Sequence, residues 1–255
     1  MDNCMIEDKT SNVVESFKQY FSVDLAVSEE QRINTYKIRY RVYGEEFGYE
    51  ETDSLPEHLE KDDYDDSALN CLITHLTSGL PAACVRIIRP NGSKNLINFP
   101  FENAVPDYLS NQKIRALKLS PDDLCEVSRL AVDGAFRRRS GEKASRFGEI
   151  NGMDISRIEL RTFNLISVAT TLAGLSLAKI SGATYMLAMM EPFLPRILDK
   201  SGIHFDQISE TINYHGKRAL YFSHIVDNEK TIIPELLGLY REIDEKLYSS
   251  INSCG

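Results

Sequence analysis

The sequence predicts an α/β (α+β) fold, a mixed and mostly antiparallel central sheet flanked by helices, on three observations. Two short apolar runs within 68–90, on either side of a Ser-Gly-Leu-Pro turn, read as an antiparallel hairpin. A β-branched strand at Cys125–Val132, a helical run from about Arg161 to Ser181 and the apolar strand "ATYMLAMM" have the lengths of a crossover unit, which predicts one parallel pair. Amphipathic patterns from Ser28 and from Pro234 supply helices to cover the sheet.

In chain order, residues 1–27 are read as an N-terminal helical segment. From Ser28, Ile33, Tyr36, Tyr40, Tyr43 and Phe47 recur at steps of three and four, which is one face of a helix. Ser28 is its expected N-cap and Gly48 its stop, and residues 28–66 form this helix with the acidic loop after it. Residues 67–225 are the core sheet and its helices. Within them 91–122 are polar and Pro-interrupted, "EPFLPRILDKSG" is a short helix closed by Gly202, and "RALYFSHIV" is a strand. Residues 226–255 read as a C-terminal helix. No repeat or low-complexity linker divides the chain, so 1–255 is expected to be a single domain.

Hydrophobic residues at 42 % and charged residues at 26 % are ordinary for a globular chain and exclude a disordered or fibrous class. The longest apolar stretch, 166–190, is interrupted by Thr, Ser, Lys179 and glycines, so no membrane span is expected. "MDNCMIEDKT" has neither a basic start nor an apolar core, which points to the cytoplasm. Five widely spaced cysteines without a CxxC pair imply reduced thiols and no metal site. The net charge of -9 is uneven: residues 1–66 hold 18 acidic and 7 basic residues, the remainder 20 and 22. Nucleic acid is an unsuitable partner for so acidic a region.

Four polar elements carry the functional reading. They are Arg39 with Tyr43 and Tyr49, the run "EKDDYD" containing Glu60, Asp62 and Asp65, Arg86 on a strand, and "EVSR" with Glu126, Ser128 and Arg129. In order and spacing, over about residues 30–132, these resemble the acyl-homoserine-lactone synthases, a branch of the GNAT acyltransferase fold. Beyond 132, "FRRR", "EPFLPRIL" and "YHGKRALYF" resemble more closely the acyltransferases associated with PEP-CTERM/exosortase loci, relatives of both the lactone synthases and the N-acyl amino acid synthases. The lactone synthases usually carry Trp where this chain has Tyr49, and this chain has no Trp.

The resemblance implies an N-acyltransferase that moves a fatty acyl group from a thioester to a small amine, most simply an amino acid. S-adenosylmethionine as acceptor, in a lactone-synthase reaction, is the alternative, and a non-catalytic acyl-binding module on the same fold is a third. The reaction needs a base for the amine, and a carboxylate on a buried strand, Glu126, suits because desolvation raises its pKa toward neutrality. Ser128 lies two residues on, on the same face of a strand, where it can orient a water or the thioester. The resemblance further implies that this strand splays from its neighbour and exposes a backbone N–H to the thioester carbonyl.

Arg39, Tyr43, Tyr49, Asp62, Asp65, Arg86 and Arg129 are the expected acceptor-side residues. Three arginines on apolar elements require carboxylates, so "EKDDYDD" reads either as a solvated loop or as half of a buried ion cluster. In a regular strand Arg129 faces away from Glu126 and Ser128 and serves as a structural partner of that run. Tyr49, beyond Gly48, is expected in a loop that closes over the acceptor. The basic stretch from Phe136, with Arg137, Arg138, Arg139, Gly141, Lys143 and Arg146, is the expected donor site. An acidic acyl carrier protein presenting an acyl-phosphopantetheine thioester suits that charge, whereas the partial glycine pattern of "RRSGEK" supports coenzyme A less well. No permanently bound cofactor is expected. His215 in "YHGKR" reads as a structural loop histidine rather than a catalytic group.

Overall fold

The computed structural model describes residues 15–90, 98–137 and 157–254. Among the described residues eight strands make the sheet: β1 (Phe21–Leu25), β2 (Leu69–His75), β3 (Pro81–Ile88), β4 (Leu124–Val132), β5 (Tyr185–Met190), β6 (Asp206–Gln207), β7 (Ile212–Asn213) and β8 (Lys217–His224). Their order is β1-β2-β3-β4-β5-β8-β6, with β7 also paired to β8. Every pairing is antiparallel except β4 with β5. That one parallel pair is joined through α5 (Arg157–Ile180), the crossover that the sequence requires.

The β2–β3 hairpin turns where the Ser-Gly-Leu-Pro stretch places it. Gly79 takes φ +71°, and its N–H donates to His75 O at 2.8 Å while His75 N–H donates to Leu80 O at 2.9 Å. On one sheet face, Cys71, Ile73, Val85, Ile87 and Cys125 meet α5 and α8 (Pro234–Cys254) in the main core. Gly174 lets α5 approach closely, since a Cβ there would lie 3.3 Å from Val85 and 3.5 Å from Val127. The most apolar part of α5, Thr162–Ile180, is long enough to cross a membrane, but 61 % of it is buried inside the protein, the environment of a core helix.

The opposite face is covered by α2 (Glu29–Arg39), whose Ile38 packs with Leu72, Cys84 and Ala131. Ser28 caps α2 reciprocally: Gln31 N–H donates to Ser28 Oγ at 3.2 Å and Ser28 N–H donates to Gln31 Oε1 at 3.1 Å. The helix does not run on to Gly48 as an α-helix. It widens into a π-helix, Tyr40–Glu46, and ends at Phe47 and Gly48, the latter at φ +62°. The predicted stripe is divided accordingly. Thr35, Ile38, Arg39 and Val42 are buried, Tyr36 and Tyr40 are buried too, and Phe47 is 46 % exposed.

A second core joins Ile88 and Leu124 to Phe99, Phe101, Tyr108 and Ile114, the last on α3 (Gln112–Ala116), so the polar 91–122 stretch contributes packing through its aromatic residues. Two expectations of organisation are corrected. The segment 1–27 contains helical residues 15–20 (α1), but Phe21–Leu25 is a strand, because Phe21, Val23 and Leu25 alternate inward against β2. The region 226–255 is two helices, α7 (Ile225–Thr231) and α8, since Pro234 starts a new helix rather than continuing one. The short α4 (Gly134–Arg137) follows β4, and α6 (Leu194–Leu198) follows β5 and ends in a turn at Gly202, φ +79°.

Candidate active site

Strands β4 and β5 pair only from Leu124–Glu126 against Tyr185–Leu187. Beyond this point β4 runs on beside β3 and β5 beside β8, so the two central strands part. A cavity of about 400 Å³ opens in the gap. Its wall includes Glu126–Val132 of β4, Met186 and Ala188–Met190 of β5, Val168, Thr171 and Leu175 of α5, and Leu194, Ile197 and Leu198 of α6. This is the splay that the resemblance implies, and it places Glu126 at its apex.

A bulge sharpens the divergence. Arg86 faces Ser128 but Cys84 faces Ala131, so Arg129 and Leu130 together oppose Val85. Arg129 takes φ +51°, an uncommon conformation for a residue with a side chain. The regular strand expected from the sequence is therefore absent here. Arg129 does not face away from the site: it lines the cavity and shares Asp62 with Arg86, whose Nε donates to Ser128 Oγ at 3.2 Å.

Three arginines and three carboxylates hold this region. Arg39 donates to Glu60 through Nε, and its Nη1 and Nη2 reach the two oxygens of Asp65 at 2.6 and 3.0 Å. Arg86 Nη1 bonds Asp62 at 2.6 Å and lies 3.1 Å from Asp65. Arg129 Nε and Nη2 meet Glu60 Oε1 at 3.0 and 2.9 Å. Arg39 and Arg86 are fully buried, and Glu60 and Asp65 nearly so. Burial opposes the charge on Asp65, yet the Arg39 guanidinium wins and holds the carboxyl down at about 2. Glu60 is likewise held below its ordinary value by Arg39 and Arg129 against the cost of burial. Glu60, Asp62 and Asp65 thus belong to a largely buried ion cluster, while Lys61, Asp63 and Asp66 of the same run are exposed.

Of the residues expected at the acceptor, Tyr43, Tyr49 and Arg129 line the cavity, whereas Arg39, Asp62, Asp65 and Arg86 lie behind its wall. Those four position the wall and do not reach into it. Tyr49 is in the loop beyond Gly48, as expected, stacked on Phe47 at 5.3 Å. Tyr43 donates to Leu130 O at 2.9 Å and so fixes the bulge to the π-helix. His215 Nδ1 lies 3.0 Å from Tyr49 O, a contact that holds the loop. Arg137 donates to Val132 O at 2.7 Å, pairs with Glu46 and lies over the Phe47 ring, so its charge is already engaged. Arg138, Arg139, Gly141, Lys143 and Arg146 lie outside the described residues.

Glu126 is 4 % exposed. Burial pushes its carboxyl up to about 7, against the pull of Arg86 and Arg129 and of a hydrogen bond from the Phe101 backbone. Its Oε2 has no hydrogen-bond partner among the described residues. A buried carboxylate of near-neutral pKa with a free oxygen, at the edge of a cavity, is equipped to take a proton from a ligand. Ser128 stands one pleat further on the same face, its hydroxyl proton free to donate while its oxygen accepts from Arg86. Glu50, Tyr214 and Arg218 also stand in this wall, unanticipated from the sequence. Tyr214 and Arg218 come from the β7–β8 hairpin, whose only advance signal is the Tyr-His-Gly turn in "YHGKR".

Two stability measurements follow from these charges. Asp65→Asn removes the shared partner of two buried arginines, and chemical denaturation at pH 7 is expected to show a loss of about 3–5 kcal/mol. Asp65 is depressed from its usual 3.8 to about 2, so its stabilisation is present above that usual value and is lost as pH falls through about 2. The difference between parent and variant should therefore shrink below pH 4. Glu126 is shifted the other way, from 4.5 to about 7, so the fold loses stability as pH rises through that interval. Glu126→Gln is expected to match the parent at pH 4 and exceed it by roughly 1–3 kcal/mol at pH 8.

Residues 38–145 match the acetyltransferase (GNAT) domain model. Comparison with curated protein sequences finds no match. Among solved structures, the acyl-homoserine-lactone synthase LasI superposes with a TM-score of 0.54 at 16 % identity, over 87 % of this chain and 95 % of LasI. FeeM, an N-acyl amino acid synthase from uncultured soil microbes, gives 0.52 at 16 % identity, over 84 % and 94 % of the two chains. BjaI, a coenzyme A-dependent acyl-homoserine-lactone synthase solved with methylthioadenosine, gives 0.57 at 15 % identity, over 88 % and 89 %. Residues 38–145 thus resemble the acetyltransferase (GNAT) domain, and the chain shares the fold of these synthases.

Proposed function

We propose that the protein is an N-acyltransferase that transfers a fatty acyl group from an acyl carrier protein thioester to the amine of a small acceptor, an amino acid. The observation that carries this reading is Glu126, with its unpartnered Oε2 and near-neutral pKa, placed where β4 and β5 part around an apolar cavity. The cavity is divided by chemistry. Beyond Glu126 its β5, α5 and α6 wall is mostly methionine, leucine, isoleucine and valine, suited to an alkyl chain. The other side is Tyr43, Tyr49, Tyr214 and Arg218, suited to a polar acceptor.

In the reaction, Glu126 takes a proton from the acceptor ammonium, and the freed amine attacks the thioester carbonyl carbon. The C–N bond forms as the carbonyl oxygen gains negative charge beside the unpaired edge of β4. Ser128 Oγ–H faces the same space. The intermediate then collapses, the C–S bond breaks, the proton held by Glu126 passes to the leaving thiolate, and the second proton of the attacking nitrogen is released to solvent. An amide and a free thiol result, and no group on the protein is consumed. The resemblance of "YHGKRALYF" and "EPFLPRIL" to the exosortase-associated acyltransferases supports that narrower reading.

The carrier protein rests on charge. The stretch Phe136–Arg146 holds five basic residues and one acidic residue in a chain of net charge -9. An acidic carrier protein is steered by such a segment, and a free thioester is not.

Lipid mass spectrometry of cells making the parent or Glu126→Gln tests the reaction. The parent is expected to yield a new N-acyl amino acid, and the variant at least about 10²-fold less with the fold intact. Accumulation of acyl-homoserine lactone with methylthioadenosine would replace the amino acid by S-adenosylmethionine. The donor is tested by reversing Arg138 and Arg139 to Glu. This should raise KM for the acyl carrier protein, with the loss relieved by salt, while use of a short acyl-pantetheine donor stays level. An equal loss on both donors would exclude docking as the role of the stretch.

A further inference from the structure

Three arginines line the cavity, and two are already neutralised. Arg129 pairs with Glu60 at 2.9 Å and Arg137 pairs with Glu46. Arg218, at the start of β8, has no carboxylate within ion-pair distance among the described residues, and its buried Nε has no hydrogen-bond partner. Its guanidinium lies 5.2 Å from the centre of the Tyr49 ring, which fixes the plane of the fork against an aromatic face. Glu126, Tyr214 and Arg218 all line the same cavity. A half-buried guanidinium whose Nε is buried and unpartnered among the described residues is costly to leave without an anion, and a ligand carboxylate would complete it by a charge-assisted, bidentate contact.

We propose that Arg218 is the residue that selects the acceptor, by binding a carboxylate carried on the same small molecule as the reacting amine. Glu126 receives the amine and Arg218 the carboxylate, so the favoured acceptors are α-amino acids, or larger molecules that contain an α-amino acid unit, over simple amines and amides. The assignment rests on the acyl-transfer reading for the identity of the second group, but the carboxylate contact can be measured without turnover. Arg218 also fixes Tyr49, and so ties the loop beyond Gly48 to the β7–β8 hairpin on the side where the acceptor enters.

Calorimetric titration of the full chain with N-decanoylglycine and with its carboxamide, N-decanoylglycinamide, tests the contact. The parent is expected to bind the carboxylate about 10–100-fold more tightly than the amide. Arg218→Gln should bring that ratio close to one, and Arg218→Lys, which keeps the charge but loses the fork, should retain part of it. Melting of each variant is measured alongside, and the Lys variant decides the matter should the Gln variant unfold. Equal affinity of the parent for the two probes, including no measurable binding of either, overturns the assignment, as does a ratio unchanged in both variants. In steady-state assays the same preference should appear as a raised KM of Arg218→Gln for an amino acid relative to its amide. A carboxylate preference in binding without any acyl transfer would defeat the acyl-transfer reading and leave the Arg218 assignment standing.

Discussion

Arg86 is the interaction on which the rest of the site depends. It is fully buried in β3 and reaches in two directions, to Asp62 and Asp65 through Nη1 and to Ser128 through Nε. The first contact gathers the acidic run onto the sheet, and through it Arg39 and Arg129. The second fixes β4 at the residue before its bulge. Two buried guanidinium groups, Arg39 on α2 and Arg86 in β3, are destabilising by themselves. They persist because three carboxylates meet them, and such arrangements specify one geometry more than they add stability. The geometry specified here is an outward turn of β4 immediately past Glu126.

The same charges set the chemistry of Glu126. Its burial would raise the pKa further, but Arg86 and Arg129 are near enough to moderate the rise, and the balance falls at about 7. Without the two arginines burial would hold the carboxyl higher still, and without the burial it would be an ordinary glutamate, ionised at neutral pH and a weaker base. The proposed acyl transfer near neutrality needs a group between these extremes. The cavity follows from the same divergence of strands, so Glu126 and the apolar wall beyond it have one structural origin.

Much of this was legible in the sequence because it depends on local pattern or on paired charge. Hairpin, crossover and caps are short-range, and the need of Arg39, Arg86 and Arg129 for Glu60, Asp62 and Asp65 is visible as residue types that do not occur singly in apolar elements. Three features were not legible for definite reasons. The strand Phe21–Leu25 follows directly on helical residues and is defined by its pairing with β2, a long-range contact. The orientation of Arg129 follows from a positive φ in a strand that reads as regular. Arg218 joins the wall because β8 lies beside β5 across the sheet, and no spacing along the chain relates it to Glu126. That Arg39, Asp62, Asp65 and Arg86 stand behind the cavity rather than in it also needed the third dimension, since first and second layers of a site share one sequence pattern.

The central claim is that one buried carboxyl, Glu126, is tuned to gain and lose a proton near neutral pH. Carbon-13 NMR of protein labelled at the glutamate carboxyl carbon, with Glu126→Gln providing the assignment, follows that group alone as pH is changed. The account predicts a midpoint near 7, some two and a half units above the ordinary glutamate value of 4.5. A Glu126 signal that titrates with the exposed glutamates near 4.5 would contradict it.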